Sequence, residues 1–164
     1  MSTDHVGRAV EQWRVARPDL DASPVAVIGR LTRIAQHVHE RLVAGYRGLG
    51  LSEGEFDILA SLRRTGAESM TPTELTAVTF VTKGAVTKRR DQLVARGLVV
   101  REQSPTDGRG RVVRLTDVGR DLIDAAMPVH LANERAMLAD LTPGERAALE
   151  RILASWAARI EARP

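Results

Sequence analysis

Three four-residue stretches limit what this chain can fold into: Ser52-Glu53-Gly54-Glu55, Thr71-Pro72-Thr73-Glu74 and Thr142-Pro143-Gly144-Glu145. Each sets a hydroxyl residue three positions before a glutamate and opens a run with helical apolar spacing. In such a capping box the hydroxyl oxygen accepts an orphan amide of the new helix, and the glutamate reaches back to the cap's own amide. In the last two, proline sits at the first helical position, where its missing N–H costs nothing. Three fixed helix starts predict a mainly helical protein.

The remaining elements fall between these starts. Val25, Ile28, Leu31, Ala35, Val38 and Leu42 step by three or four residues and predict one long helix over 24–47. A shorter amphipathic stretch, 6–16, carries Trp13 and is separated from it by Arg17-Pro18-Asp19, because a residue before proline avoids the helical region. A helix over 53–65 carries Phe56, Leu59 and Leu62. A short helix over 72–78 is followed by a turn at Val78-Thr79-Phe80-Val81, and Thr82 caps a helix that runs to Arg96 and stops at Gly97. Two runs rich in β-branched residues, 98–102 and 111–115, flank a loop holding Pro105, Asp107, Gly108 and Gly110, which makes a hairpin with a long tip. Thr116 caps a helix over 117–139 that Pro128 should kink or interrupt. The last helix, 143–161, is expected to bury Leu149, Ile152, Leu153, Trp156 and Ile160.

Two short helices, a tight turn and a hairpin form a winged helix-turn-helix. The fold class is therefore mainly α with a small β-hairpin wing, the winged lobe spanning 51–116 between N-terminal helices in 1–50 and C-terminal helices in 117–164. Charge supports the assignment. From Lys83 to Arg114 there are nine basic residues against three acidic ones, and both lysines of the chain, Lys83 and Lys88, lie there. The rest of the chain has fifteen basic against eighteen acidic residues. A basic island on a mildly acidic body is the footprint of a phosphate-binding surface.

The N-terminal part of a recognition helix can reach base edges in the major groove. Thr82, Lys83, Thr87, Lys88 and Arg90 are the candidates there, with Gly84 and Ala85 permitting close approach. On the wing, Arg109 and Arg111 suit a narrow minor groove with enhanced negative potential. The expected partner is double-stranded DNA.

Other chemistries find little support. His37 and His39 are two apart and point to different sides of a helix, and His5 and His130 stand isolated, so no metal site is expected. Asp117, Asp121 and Asp124 share a helix face that reads as solvated, with no nucleophile beside it. No glycine-rich phosphate cradle and no cysteine occur. Neither an enzyme nor a cofactor is expected. No apolar run approaches the roughly 20 residues of a membrane span, and no signal-peptide stretch is present, so a cytoplasmic location is expected.

The order of helices around an embedded wing resembles the MarR family. The run Asp107-Gly108-Arg109-Gly110-Arg111-Val112-Val113-Arg114-Leu115-Thr116-Asp117-Val118-Gly119 is similar to that family's D-x-R…L-T-x-x-G signature. The resemblance implies a homodimer paired through its N- and C-terminal helices on a pseudo-palindromic operator, with half-sites about one helical turn apart. It implies that Asp107 braces the wing and that Arg109 is the minor-groove finger.

A narrower resemblance is to the urate-responsive branch (UrtR, with PecS-like and HucR-like regulators). It is carried by Glu11-Gln12-Trp13, Arg17-Pro18-Asp19-Leu20-Asp21, Ser23 to Leu31, Glu55-Phe56-Asp57-Ile58-Leu59, Thr71-Pro72-Thr73-Glu74-Leu75, His130 and Asn133-Glu134. That branch implies a ligand-responsive quartet at Trp13, Asp57, Arg89 and Arg101, where an aromatic plate, an acceptor and two cations suit a small anionic effector such as urate. The sequence departs from the branch at Phe80-Val81-Thr82-Lys83-Gly84-Ala85-Val86-Thr87-Lys88-Arg89 and at Gly108, where an arginine is usual. A sister branch answers to citrate or trans-aconitate, and the same arginines suit a carboxylate or phenolic ligand. A dimeric DNA binder without effector stays open. In that case Trp13 anchors the extra helix, Asp57 is a solvated flank, and Arg89 and Arg101 hold phosphates.

Overall fold

The computed structural model describes residues 4–66, 69–79, 83–103 and 111–162, and of residues 83–86 the helical backbone alone. Thr82, Arg109 and the side chain of Lys83 therefore lie outside the described residues. Two compact units make up the chain, Met1–Ala44 and Gly45–Pro164, so the expected winged lobe and the C-terminal helices share one unit.

The first unit holds α1 (His5–Ala16) and most of α2 (Ser23–Gly48). Asp4 caps α1 by accepting the Gly7 amide at 2.9 Å, and the same carboxylate takes a two-pronged contact from Arg30 of α2 at 2.8 and 3.0 Å. Val6 is buried beside Gly29, where a built methyl would lie 3.0 Å from a Val6 methyl, so the small residue sets the approach of the two helices. Asp21 accepts the Ser23 amide at 2.9 Å and starts α2 afresh after the break at Arg17-Pro18-Asp19.

In the second unit the axle is α3 (Glu53–Arg64), nine of whose twelve residues are buried. Its capping box is complete: the Ser52 amide donates to Glu55 at 2.8 Å, and the Ser52 hydroxyl oxygen accepts the Glu55 amide at 3.4 Å. Thr71 and Thr142 complete the same arrangement for α4 (Pro72–Val78) and for α7 (Pro143–Glu161). Each such cap contributes about 1 kcal/mol. Around α3 stand α4, α5 (Lys83–Ala95), the hairpin strand β2 (Arg111–Leu115) and α6 (Asp117–Met137), with the other strand, β1 (Val99–Gln103), against β2 and α5. Ile58, Leu59, Leu75, Leu93 and Ile123 are fully enclosed and form the core.

The join between α5 and β1 is dictated by Gly97. Its φ of 68° lies in the left-handed region, the Gly97 amide donates to the Val94 carbonyl at 2.9 Å, and the Leu98 amide donates to the Leu93 carbonyl at 3.0 Å. This paired pattern ends a helix and turns the chain back on itself. The strands run antiparallel with Val99 opposite Leu115 and Arg101 opposite Val113. Met70 adds a one-residue bridge on the other side of β2 by exchanging both backbone bonds with Val113, at 2.9 and 2.7 Å.

Two features differ from expectation. Pro128 does not interrupt α6, which runs unbroken from Asp117 to Met137. One missing N–H removes a single rung, and the helix is anchored on the side before the proline by the buried Ile123 and Ala126. The apolar stripe of α7 is not buried: Leu149, Ile152, Leu153 and Ile160 are each at least 41% exposed. A stripe at helical spacing marks a surface that excludes water once covered; it does not say that the same chain covers it.

Candidate nucleic-acid interface

The described cations of the α4–α5 and hairpin region divide into two groups. Thr87, Lys88 and Arg111 are exposed, the first two on α5 and the third at the start of β2. Arg90 differs. Its side chain is only 13% exposed and is laid along the surface by its neighbour Asp91, with Nε and Nη2 at 3.1 and 3.0 Å from one carboxylate oxygen.

Three further arginines of the basic island hold the lobe together. Arg96, just past α5, donates to the Glu55 carboxylate at 2.9 Å and to the Gly50 carbonyl at 3.0 Å. Arg114 reaches across the hairpin to Glu102 at 2.6 Å. Arg101 of β1 pairs with Asp91 of α5. Charge alone assigns such cations to phosphate, but the fold pairs Arg101 and Arg114 with two acids of the island itself, 10 and 12 residues away, and brings Glu55 to Arg96 from 41 residues away. The signal for Glu55 is present in the sequence as a capping box; its second use as the partner of Arg96 is not visible there.

Burial raises the proton affinity of the Glu55 carboxyl, but the bonds from Ser52 and Arg96 outweigh it and hold the group below its ordinary value. One oxygen serves the cap amide and hydroxyl of Ser52, while the other takes Arg96. A single carboxylate thus fixes the start of α3 and the end of the recognition helix.

Of the quartet expected to sense a ligand, three members lie in the second unit and Trp13 in the first, where its indole is 51% exposed. Asp57 is buried in α3 at 9% exposure, which excludes a solvated flank. Arg89 lies across the first turn of the same helix. A methyl built on Gly54 would sit 2.3 to 2.6 Å from its Cδ, Nη1 and Nε, so the glycine is what lets the guanidinium rest there. Gly54 and Asp57 are three residues apart and share a helix face.

His130 is not isolated, as the sequence implied. Its ring lies 4.7 Å from Phe56 and 5.8 Å from Tyr46, with Nε2 3.2 Å from Glu134. Tyr46 in turn stacks on Phe56 at 4.6 Å. Burial first, then the negative charges of Glu53, Glu134 and Asp57, push the Tyr46 hydroxyl up to about 12. Asp124 is likewise no free solvated group, since Arg63 of α3 grips it at 2.7 and 3.1 Å. Among the described residues no cluster of histidine, aspartate and glutamate is arranged to hold a metal, and no helix is long and apolar enough to cross a membrane.

A reading helix that exposes Lys88, joined to a hairpin wing and mounted on a buried axle, defines a winged helix-turn-helix of the kind that binds duplex DNA. Comparison with known proteins narrows the class. Residues 49–110 match the model of the MarR family. The chain is 36% identical over 149 residues to the HTH-type transcriptional regulator PecS of Dickeya dadantii (strain 3937), covering 90% of each protein. It is similar to the crystal structure of apo MarR from E. coli, with a TM-score of 0.65 and 32% identity over 77% of this chain and 94% of that one. It is also similar to a mutant E. coli MarR complexed with operator DNA, with a TM-score of 0.69 and 28% identity over 87% and 96% of the two chains. The chain belongs to the MarR family: it is a DNA-binding transcriptional regulator and not an enzyme.

Proposed function

We propose that this regulator is a homodimeric repressor that binds a pseudo-palindromic operator and is released from it by a small anionic effector, with urate as the first candidate. The observation that carries the effector reading is the seat of Arg89 on Gly54, which lays a recognition-helix cation over the first turn of the helix that buries Asp57. An anion drawn to Arg89 there acts directly on the element that contacts DNA. Arg101, on the neighbouring strand, supplies a second cation, and the family resemblance adds Trp13 to the set as an aromatic plate. The likeness to PecS over 90% of both chains supports the urate-responsive branch over the carboxylate-responsive one.

Dimerisation is supported by the uncovered apolar stripes of the terminal helices, in α2 at Val25, Ile28 and Leu31 and in α7 at Leu149, Ile152 and Leu153. Exposed contiguous apolar surface of this kind marks an association face. Segments 1–50 and 117–164 then serve pairing, and 51–116 serves DNA reading through Thr82, Lys83, Thr87, Lys88, Arg90, Arg109 and Arg111. The protein works in the cytoplasm, where its operator is.

The test is a gel shift on the DNA upstream of its own coding sequence, followed by titration with urate, citrate and salicylate. Urate is expected to release the DNA. Replacing Trp13 or Asp57 by alanine is expected to blunt that response and leave operator affinity near the parent value. Release by citrate or salicylate alone reassigns the effector, and release by none of the three removes it.

A further inference from the structure

We propose that Asp91 is a positioning residue for DNA reading: its carboxylate is the joint that fixes the wing to the recognition helix. The Asp91 Oδ1 accepts hydrogen bonds from Nε and Nη2 of Arg90, on its own helix, and from Nη2 of Arg101 on β1. Arg101 stands opposite Val113, two residues from Val99, and both valines are buried. Residues two apart on a strand share a face, so Arg101 issues from the core side of the hairpin. Its side chain is 33% exposed.

The geometry gives the two DNA-facing elements different moorings. The far end of α5 is tied to the body by Arg96, through Glu55 and the Gly50 carbonyl. The β2 side of the wing is tied by the two backbone bonds between Met70 and Val113. On the β1 side, the described side-chain tie to α5 is Arg101 to Asp91. Helix and wing engage DNA together only if their separation matches the groove spacing, and groups held in place beforehand bind more tightly than groups ordered on binding. Two guanidinium groups on one carboxylate also leave the joint with a net positive charge, so it does not repel phosphate.

The competing role is the opposite one. Asp91 would then withhold Arg90 and Arg101 from phosphate, and removing its charge would tighten binding. The two differ in sign. With an operator duplex selected from a random-sequence pool and a scrambled duplex of equal length, fluorescence anisotropy is measured for the parent, Asp91→Asn, Arg101→Gln and the double variant. Asp91→Asn is expected to weaken operator binding about tenfold and to leave scrambled-duplex binding within about twofold, so that the specificity ratio falls. Arg101→Gln does the same, and the double variant is no worse than either single one, because both remove one joint. Asp91→Glu, which keeps the charge, restores most of the affinity. An exposed ion pair contributes little to stability, so melting temperatures stay within about 3 °C of the parent.

Equal or tighter operator binding by Asp91→Asn overturns the proposal, most directly if the dependence of log K on log salt steepens by about one unit for each phosphate newly neutralised. Additive losses in the double variant overturn it too. So does a melting temperature that falls in step with the affinity, which would mean a structural role alone.

Discussion

Gly119 gives the sharpest test of how the wing is joined to the helix that follows it. It sits in the first turn of α6, where an alanine methyl would lie 1.9 Å from the Leu98 carbonyl oxygen and 2.9 Å from its carbon. A carbon and a carbonyl oxygen need about 3.3 Å, so the helix start and the Leu98 backbone must separate by roughly 1.4 Å. No rotamer change relieves this, because the obstacle is backbone. The same carbonyl accepts the Thr116 amide at 3.1 Å, and the Thr116 hydroxyl donates to Gly97 at 2.7 Å. Separation therefore loosens the knot that closes both hairpin and helix cap. Overpacking costs about 1–3 kcal/mol. A broken backbone bond adds about 1 kcal/mol, and the higher helix propensity of alanine returns about as much. Gly119→Ala should destabilise the protein by about 1–3 kcal/mol, which for a chain of this size lowers the melting temperature by roughly 2–12 °C. Thermal unfolding by far-UV circular dichroism, at one fixed protein concentration, measures it. Gly144, in α7, is the control: no heavy atom lies within 4 Å of a methyl built there. Gly144→Ala should leave stability unchanged or raise it by up to ~1 kcal/mol. If Gly119→Ala behaves like Gly144→Ala, the close approach of α6 to Leu98 is wrong.

Tyr46 is the one tyrosine of the chain, so the phenolate absorbance reports it alone. In the folded protein it should ionise at about 12. Because its folded proton affinity exceeds that of an unfolded tyrosine, the stability it contributes is complete below pH ~10 and drains away as pH rises from there, a loss that Tyr46→Phe should abolish; native-state ionisation near the ordinary value would refute this. Glu55 runs the other way, since its folded carboxyl sits below its ordinary value of 4.5. Its contribution is present above that value and fades as pH falls through the folded one. Glu55→Gln should cost about 1–3 kcal/mol at neutral pH and flatten the acid limb of an unfolding curve, whereas an unchanged acid limb would show the pair with Arg96 to be idle. The nearest atoms that Gly54→Ala meets are the flexible end of Arg89. The variant should therefore melt at or above the parent temperature while changing operator affinity or its response to urate, and an unaltered affinity and response would remove Arg89 from the coupling.

The helices are legible in the sequence because their starts are local chemistry. Ser52, Thr71, Thr116 and Thr142 each bond an amide three residues on, so the cap is written within one turn of sequence. Gly97 is legible for the same reason, since its left-handed φ is a property of one residue. What the sequence does not declare is which charges meet. Glu55 and Arg96 are 41 residues apart, Arg63 and Asp124 are 61 apart, and Tyr46 and His130 are 84 apart. Each pairing exists because the core has brought two elements together, and nothing at either position names the other. The basic island is therefore less available to DNA than its composition implies. Its net charge survives, but Arg96, Arg101 and Arg114 commit their side chains to Glu55, Asp91 and Glu102. The attraction for DNA then rests on fewer exposed cations, with the paired arginines setting where those cations stand. A surface organised in this way separates affinity from geometry. Neutralising Lys88 or Arg111 should weaken binding to every duplex alike and lower the salt dependence by about one unit for each phosphate left without its cation, whereas breaking a pair beneath them should reduce discrimination between duplexes first.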